Sequence, residues 1–141
     1  MTWFVVFVIA GCACAVSCIA PEPLQTPDTM WRVVSARDFL VPTLADRPIV
    51  GFVFNPDSGH VSGYSGCNRF HGTYVYRGDS LSFGPLVLTK MFCQSGSDIE
   101  RAVVEALRDV VTVRLESGAL IGKGAASDTV IIARRESHKR P

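Results

Sequence analysis

Five cysteines carry most of the reactive chemistry that this chain of 141 residues offers, and they fall into two groups. Cys12, Cys14 and Cys18 lie close together near the start, whereas Cys67 and Cys93 stand far apart in the sequence. A thiol can be acylated, oxidised to a disulfide or used as a metal ligand. Near neighbours reach disulfide geometry with difficulty, so the first three cysteines favour a different chemistry.

The segment around those three cysteines has the features of an export signal. Trp3 to Val16 is an almost uncharged apolar run, too short to cross a bilayer comfortably and close in length to the apolar region of a signal peptide. Pro21, Pro23 and Pro27 follow, and they predict an extended linker because proline cannot continue a helix. Bacterial lipoprotein leaders end with an aliphatic residue, two small residues and a cysteine that becomes diacylated. This region resembles that pattern.

Two cysteines compete as the acylated residue. Cys12 follows Ile9-Ala10-Gly11, the closer match, but the apolar region before it is very short. Cys18 follows Ala15-Val16-Ser17, a poorer match, with an apolar region of ordinary length before it. We therefore predict lipidation of Cys18, with Cys12 as the alternative. No Lys or Arg comes directly after Met1, unlike most such leaders, so either the true start lies upstream or the amino terminus alone supplies the positive charge. An ordinary cleaved secretory peptide and an uncleaved anchor are the alternatives without lipidation.

The two distant cysteines fit a disulfide in an exported protein. Export would bring Cys67 and Cys93 into an oxidising space, where a bond between them would stabilise a small domain by roughly 3 kcal/mol in the chain-entropy model. Two separate buried thiols remain the alternative. Cys67 and His71 have a possible metal-ligand spacing but too few companions, so we predict no metal site and no cofactor.

The sequence gives little support to nucleophilic catalysis. Gly63-Tyr64-Ser65-Gly66 falls short of a nucleophile elbow because Cys67 takes the place of its last glycine. The candidate general bases are three histidines: His60, His71 and His138. Asp98 and Glu100 are explained as charges in the first turn of a helix. We therefore predict that the protein is not an enzyme and has no catalytic residues.

The net charge and the length of the chain limit the classes of protein to which it could belong. The net charge of +1 argues against a nucleic-acid surface, which needs a concentrated basic face. The basic residues Arg134, Arg135, Lys139 and Arg140 close the chain and predict a solvated tail, with contact to anionic lipid headgroups as the alternative. The length predicts one domain after the leader.

The stretch from Gly63 to Tyr74 predicts a tight corner between strands. Gly63, Gly66 and Gly72 can adopt positive φ or admit a close backbone neighbour, and Asn68 tolerates similar conformations.

This stretch and the motifs after it resemble those of META/HslJ domains. The matching motifs are Gly66-Cys67-Asn68-Arg69-Phe70, Gly72-Thr73-Tyr74, Leu81-x-Phe83 and Thr89-x-Met91-x-Cys93. The resemblance runs from about Trp31 to about Arg134, which is nearly the whole chain beyond its leader.

One helix and several strands are predicted around this corner. Ser97-Asp98-Ile99-Glu100 has the pattern of a capping box, and apolar residues then recur at helical spacing as far as Val110. Arg101 and Glu105 are expected to pair on the outer helix face. Strands are predicted over residues 31–36, 49–54, 70–76, 80–83, 111–115, 119–121 and 129–133. Phe70, Gly72, Tyr74 and Tyr76 are expected on one face of their strand.

These elements predict an α+β domain in which a strongly curved antiparallel β-sheet, or a partly open barrel, packs on one α-helix. The predicted organisation is a lipoprotein-type signal peptide over residues 1–18, a proline-rich linker over 19–28, a META/HslJ-like domain over 29–135 and a basic tail over 136–141.

The resemblance implies a non-enzymatic, lipid-anchored protein of the bacterial cell envelope, in the cell membrane or outer membrane, linked to envelope stress or virulence. Similarity of fold between this family and secretin pilot lipoproteins suggests an alternative: a chaperone that binds an acyl chain or a partner peptide in an apolar cleft between sheet and helix. The expected partners are the membrane, through N-terminal acyl chains, and an envelope protein or lipid, with no nucleic acid.

Overall fold

The structure is a computed structural model that describes residue 24 and residues 29–136. Ten strands and one helix follow one another in this part of the chain. The strands are β1 (Met30–Ala36), β2 (Phe39–Leu40), β3 (Gly51–Asn55), β4 (His60–Tyr64), β5 (Arg69–Arg77), β6 (Ser80–Phe83), β7 (Val87–Leu88), β8 (Thr112–Glu116), β9 (Ala119–Lys123) and β10 (Thr129–Glu136). The helix α1 (Ser97–Asp109) lies between β7 and β8.

The strands form one antiparallel sheet that curves into a ring. Their order is β10-β9-β8-β6-β5-β4-β3-β1, and β1 pairs back with β10 from Met30 opposite Glu136 onward. The ring is uneven, since β6 and β8 meet at the single pair Ser80 and Thr112. Short β2 pairs with β1, and short β7 pairs with β5. The structure confirms the predicted α+β fold, a strongly curved sheet packed on one helix.

Burial along β5 follows the predicted alternation. Phe70, Gly72 and Tyr74 are buried, whereas His71 and Thr73 between them are exposed. Successive side chains of a strand point to opposite faces, so an alternating strand places one face in the core and the other toward solvent. The outer face of β5 is therefore polar, and its inner face supplies aromatic side chains.

The ring and the helix enclose one hydrophobic core. Its largest fully buried side chains include Trp31, Phe52, Phe54, Leu24, Leu81, Leu107, Leu120 and Ile131. The ring centroids of Phe54 and Tyr74 lie 4.6 Å apart, and Phe54 stacks on Phe83 at 6.1 Å. Such aromatic pairs contribute about 0.5–1.5 kcal/mol each beyond the burial of their surface.

The helix fills one side of this core instead of covering an open space. Val103, Ala106 and Leu107 have 0% exposure, and α1 packs against β1, β6 and β10. Leu24, which lies in the predicted linker, is also buried in the core at 1% exposure. The linker segment therefore contributes a core side chain, which a lone leucine among prolines does not reveal in the sequence.

The capping box predicted at the start of α1 is wrong. Gly96 precedes the helix in the left-handed conformation, with φ of 104°, and no side chain caps the first turn. Ser97 is instead the first residue of the helix, and the Glu100 side chain bonds to residues outside the helix. The sequence pattern indicated local capping bonds, but Glu100 contacts Ser65 and Asn68 from another part of the chain instead.

The predicted helix-surface pair and some strand bounds also differ from the structure. Arg101 bonds Asp98 at 2.9 Å, one turn back, while Glu105 lies 4.0 Å from Arg37. Observed strands begin or end up to three residues from the predicted bounds. The predicted strands do not include β2, β4 or β7. Strands β2 and β7 have two residues each, too few to show alternation, and the residues of β4 were assigned only as the approach to the corner.

The buried hydroxyl of Tyr74 makes the stability of the domain depend on pH, which allows the packing of this core to be tested. Its hydroxyl is buried with no hydrogen-bond partner among the described residues, and burial raises its pKa above the ordinary value of about 10. The unfolded chain therefore ionises this phenol more readily than the folded chain does. The resulting stability is fully present below about pH 10 and is lost as the pH rises through the folded pKa.

We expect Tyr74→Phe to flatten the loss of stability above pH 10, measured as the urea midpoint at a series of pH values. At neutral pH the substitution should change the free energy of unfolding by less than about 1 kcal/mol, since no bond of the hydroxyl within the described chain is lost. Tyr76→Phe, on the same strand and partly exposed, is the matched control and should keep the parent profile. An unchanged alkaline loss in Tyr74→Phe would contradict this assignment.

Candidate functional site

The corner, residues 65–68, joins β4 to β5. The Ser65 amide donates to the Asn68 carbonyl oxygen at 2.9 Å and closes a tight turn. Gly66 has φ of 111°, a conformation that favours glycine. The Tyr64 hydroxyl donates to the Gly66 carbonyl oxygen at 2.9 Å. The corner predicted from the glycine spacing is confirmed.

The side chain of Asn68 ties the corner to the segment before the helix. Its Oδ1 accepts from the Thr89 hydroxyl at 2.8 Å and from the Met91 amide at 2.7 Å. Its Nδ2 donates to the Met91 carbonyl oxygen at 3.4 Å. Asn68 is 5% exposed, so these bonds replace water around a buried amide. The sequence indicated only that Asn68 tolerates the conformations of a tight corner, whereas these partners lie more than twenty residues away in the chain.

Glu100, in the first turn of α1, completes the network. Its carboxylate accepts from the Asn68 amide at 2.7 Å and from Asn68 Nδ2 at 3.1 Å. The Ser65 hydroxyl lies 2.7 Å from the same carboxylate and 2.8 Å from the Asn68 carbonyl oxygen. Hydrogen bonds to an ionised acceptor are roughly twice as strong as neutral ones. One carboxylate thus binds the corner to the helix.

Two glycines allow the backbones to approach at this junction. A Cβ added to Gly96 would lie 2.4 Å from the Gly66 carbonyl oxygen, and one added to Gly66 would lie 2.8 Å from the Ile99 side chain. Both glycines also have positive φ. A larger residue at either position would separate the helix start from the corner and stretch the bonds of Glu100.

The predicted disulfide is present beside this network. Cys67 and Cys93 are bonded, with their Cα atoms 5.8 Å apart and a sequence separation of 26. In the chain-entropy model a loop of this size gives about 3 kcal/mol of stabilisation. The bond encloses the 89–91 segment that Asn68 holds, so covalent and hydrogen-bond restraints act on the same loop.

The residues considered for catalysis or metal binding can now be placed in the fold. Ser65 is completely buried and its hydroxyl contacts Glu100, whereas His60 and His71 are exposed on strands β4 and β5. The Cys67 sulfur is bonded to Cys93, so it is not available as a thiolate. Within the described part of the chain, no group of three or more His, Cys, Asp or Glu residues could hold a metal ion.

A groove of about 580 Å³ lies on the outer face of β1, β3, β4 and β5. Its centre follows one cross-strand row, in which Met30 pairs with Val53, Val53 with Ser62 and Ser62 with His71. Pro48, Ile49 and Arg69 complete its sides. We refer to this feature as the outer groove.

The outer groove was not predicted from the sequence. The apolar and polar residues that line it come from five separate segments, and only the register of the ring brings them together. The one available signal was the outward position of His71 on β5, which by itself describes an ordinary solvent-facing residue.

The predicted lipidation residues, Cys18 and the alternative Cys12, lie outside the described residues. So do the predicted signal peptide and the tail beyond Glu136. Residues 29–136 include no helix with the length and apolar character needed to span a bilayer.

The fold and the corner define a small disulfide-bonded α+β domain, in which a ring of antiparallel strands is fastened to one helix. The chain belongs to the META domain family, whose model matches residues 22–137. The predicted resemblance is thus confirmed.

Two solved structures are similar to this chain. An NMR structure of a protein from Burkholderia xenovorans is 28% identical, with a TM-score of 0.64 over 85% of this chain and 94% of that one. A second NMR structure, 22% identical with a TM-score of 0.59, covers 78% of this chain and 91% of the other and supports the fold alone. None of the curated proteins compared with the chain matches it.

The network at Glu100 leads to a stability prediction. Glu100→Ala removes the carboxylate that contacts Ser65 and Asn68, leaves the backbone N–H of Asn68 without its acceptor, and should cost about 3 kcal/mol. Glu105→Ala makes the same change at an exposed position of the same helix and should cost less than about 1 kcal/mol. Urea denaturation of both variants measures the difference. Equal losses would show that the network does not hold the helix.

Proposed function

We propose that the protein is a non-enzymatic domain of the bacterial cell envelope, anchored in a membrane by acyl chains on Cys18. The observation that supports this most directly is the bond between Cys67 and Cys93. Structural disulfides form and persist in oxidising compartments outside the cytoplasm. An exported chain would also meet the machinery that acylates a leader cysteine.

The hydrogen bonds of the corner support a non-catalytic role. Ser65, Asn68 and Glu100 are the residue types that an active site would use, but their polar atoms bond to one another and to the backbone. A carboxylate that fixes a helix to a sheet corner acts as a structural connector. Following the family resemblance, we assign the domain to envelope stress or virulence functions.

The position of Leu24 limits how far the domain could lie from its anchor. Six residue steps separate Cys18 from Leu24, whose side chain is in the core. A fully extended chain covers at most roughly 20 Å over that length. An acylated Cys18 would therefore keep the domain close to the bilayer surface, and two or more acyl chains would hold it there stably.

A second candidate function is that of a pilot-like chaperone that binds an acyl chain or a partner peptide. The outer groove is the observation that favours it, because its volume of about 580 Å³ is within the range of roughly 300–1,000 Å³ for ligand pockets. The cleft was expected between sheet and helix, but that interface is packed with fully buried side chains. The open space lies on the outer face of the ring instead.

The anchoring cysteine is tested by comparing Cys18→Ala with Cys12→Ala in the native host. We expect Cys18→Ala to move the protein out of the membrane fraction and to abolish the acyl mass, since two or more acyl chains provide stable anchoring. Cys12→Ala should retain both. Membrane fractionation and intact mass spectrometry, with and without reductant, report the anchor and the disulfide together.

The reverse pattern between the two variants would assign acylation to Cys12. A mature parent protein that is soluble in the cytosol with free thiols would refute the envelope function altogether.

A further inference from the structure

The floor of the outer groove is apolar on the side of β1 and β3. Met30 and Val53 are directly paired across β1 and β3, and their side chains lie on the outer face of the ring. Ile49, which is 42% exposed, and Pro48 extend this apolar surface along one side. An apolar ligand would bury this floor favourably.

The charge at the edge of the groove is positive. Arg69 is exposed, and its guanidinium has no ion-pair or hydrogen-bond partner among the described residues. His71 lies two residues further along the same face of β5. The acidic residue of the groove, Glu136, is already paired with Arg32. A ligand with an anionic group would therefore find an available cation at Arg69.

The backbone around the groove favours an acyl chain over a peptide. Strands β1, β3 and β4 each pair with a neighbour on both sides, and β5 pairs here with β4 and β7. No strand edge is therefore open inside the groove to bond a peptide backbone. A peptide on the apolar floor would bury polar groups without partners, whereas an acyl chain has none to satisfy.

We propose that the outer groove binds a single-chain anionic amphiphile of the envelope, with its acyl chain along Met30, Ile49 and Val53 and its anionic head at Arg69. This rests on the second candidate function and specifies its ligand. The acyl anchor of the chain itself is a less suitable occupant, because a diacylated cysteine brings no anionic group to Arg69. Met30, the first residue of β1, and Glu136, the last residue of β10, both line the groove.

The test uses the purified full chain in phosphatidylcholine vesicles with palmitate that carries a photoactivatable diazirine. We expect label on the peptides containing Met30 and residues 48–53, located by mass spectrometry. Val53→Trp, which fills the floor, should reduce labelling at least tenfold. Val75→Trp changes an exposed outer-face valine of β5 away from the groove and should leave labelling unchanged. Thermal unfolding confirms that both variants fold.

The anionic head is tested with a second pair of variants. Arg69→Gln should raise about fivefold the concentration of unlabelled palmitate needed to displace the probe, as expected for the loss of one ion pair of modest strength. Displacement by hexadecanol, which has no charge, should be unchanged. Arg77→Gln, at the far end of the same strand face, is the control and should behave as the parent does.

Several results would overturn the proposal. The first is unchanged labelling in Val53→Trp. The second is an equal effect of Arg69→Gln on displacement by palmitate and by hexadecanol. The third is displacement of the probe by an apolar peptide with a free carboxylate at a lower concentration than palmitate requires. Labelling that appears only after removal of the chain's own acyl anchor would assign the groove to that anchor. These measurements use purified protein, so they do not depend on the membrane fractionation of the cysteine variants. A negative result in one of the two experiments leaves the other interpretable.

Discussion

One carboxylate, that of Glu100, connects the two parts of this small domain. It accepts hydrogen bonds from the corner at Asn68 and Ser65 while its own backbone belongs to the first turn of α1. The ring of strands has a weak seam where β6 meets β8 at one residue pair. A helix that packs against β1, β6 and β10 braces the ring near that seam, so whatever fixes the helix also supports the sheet.

The disulfide and Asn68 extend this restraint to the loop before the helix. Both polar backbone atoms of Met91 bond to Asn68, and Cys93 is covalently joined to the corner. The loop is held by its backbone, and its side chains point outward: Phe92 is 94% exposed and Met91 is 68% exposed. Stability therefore comes from a few polar and covalent contacts here, while the aromatic core supplies the apolar burial on the other side of the sheet.

Features that depend on local pattern were predictable from the sequence. The alternation of β5, the amphipathic helix and the glycine corner each follow from residue types at fixed spacing. The pairing of Cys67 with Cys93 followed from the inference that the chain is exported. The capping box failed because Glu100 has a stronger partner in the corner than in its own helix terminus. Its correct role requires knowing that Gly66 and Gly96 touch, which no periodicity reveals.

The outer groove and the burial of Leu24 could not be predicted from the sequence, because both depend on how distant segments are arranged in the fold. The groove depends on the register that aligns Met30, Val53, Ser62 and His71 across four strands, and a one-residue shift would place a different set outside. Leu24 lies in a segment whose prolines indicate a linker, and only its packed position shows that it belongs to the core. Both features bear on the proposed function, because they set where the domain could sit relative to a membrane and what it could bind.

Native-state hydrogen exchange at the Asn68 amide tests the central claim most directly. If the bond to Glu100 fastens the sheet to the helix, this amide opens only when the whole domain unfolds, and its exchange free energy should equal that of core amides such as Val61. An Asn68 amide that exchanges many times faster while Val61 stays protected would show that the corner opens locally and that the fold does not depend on it.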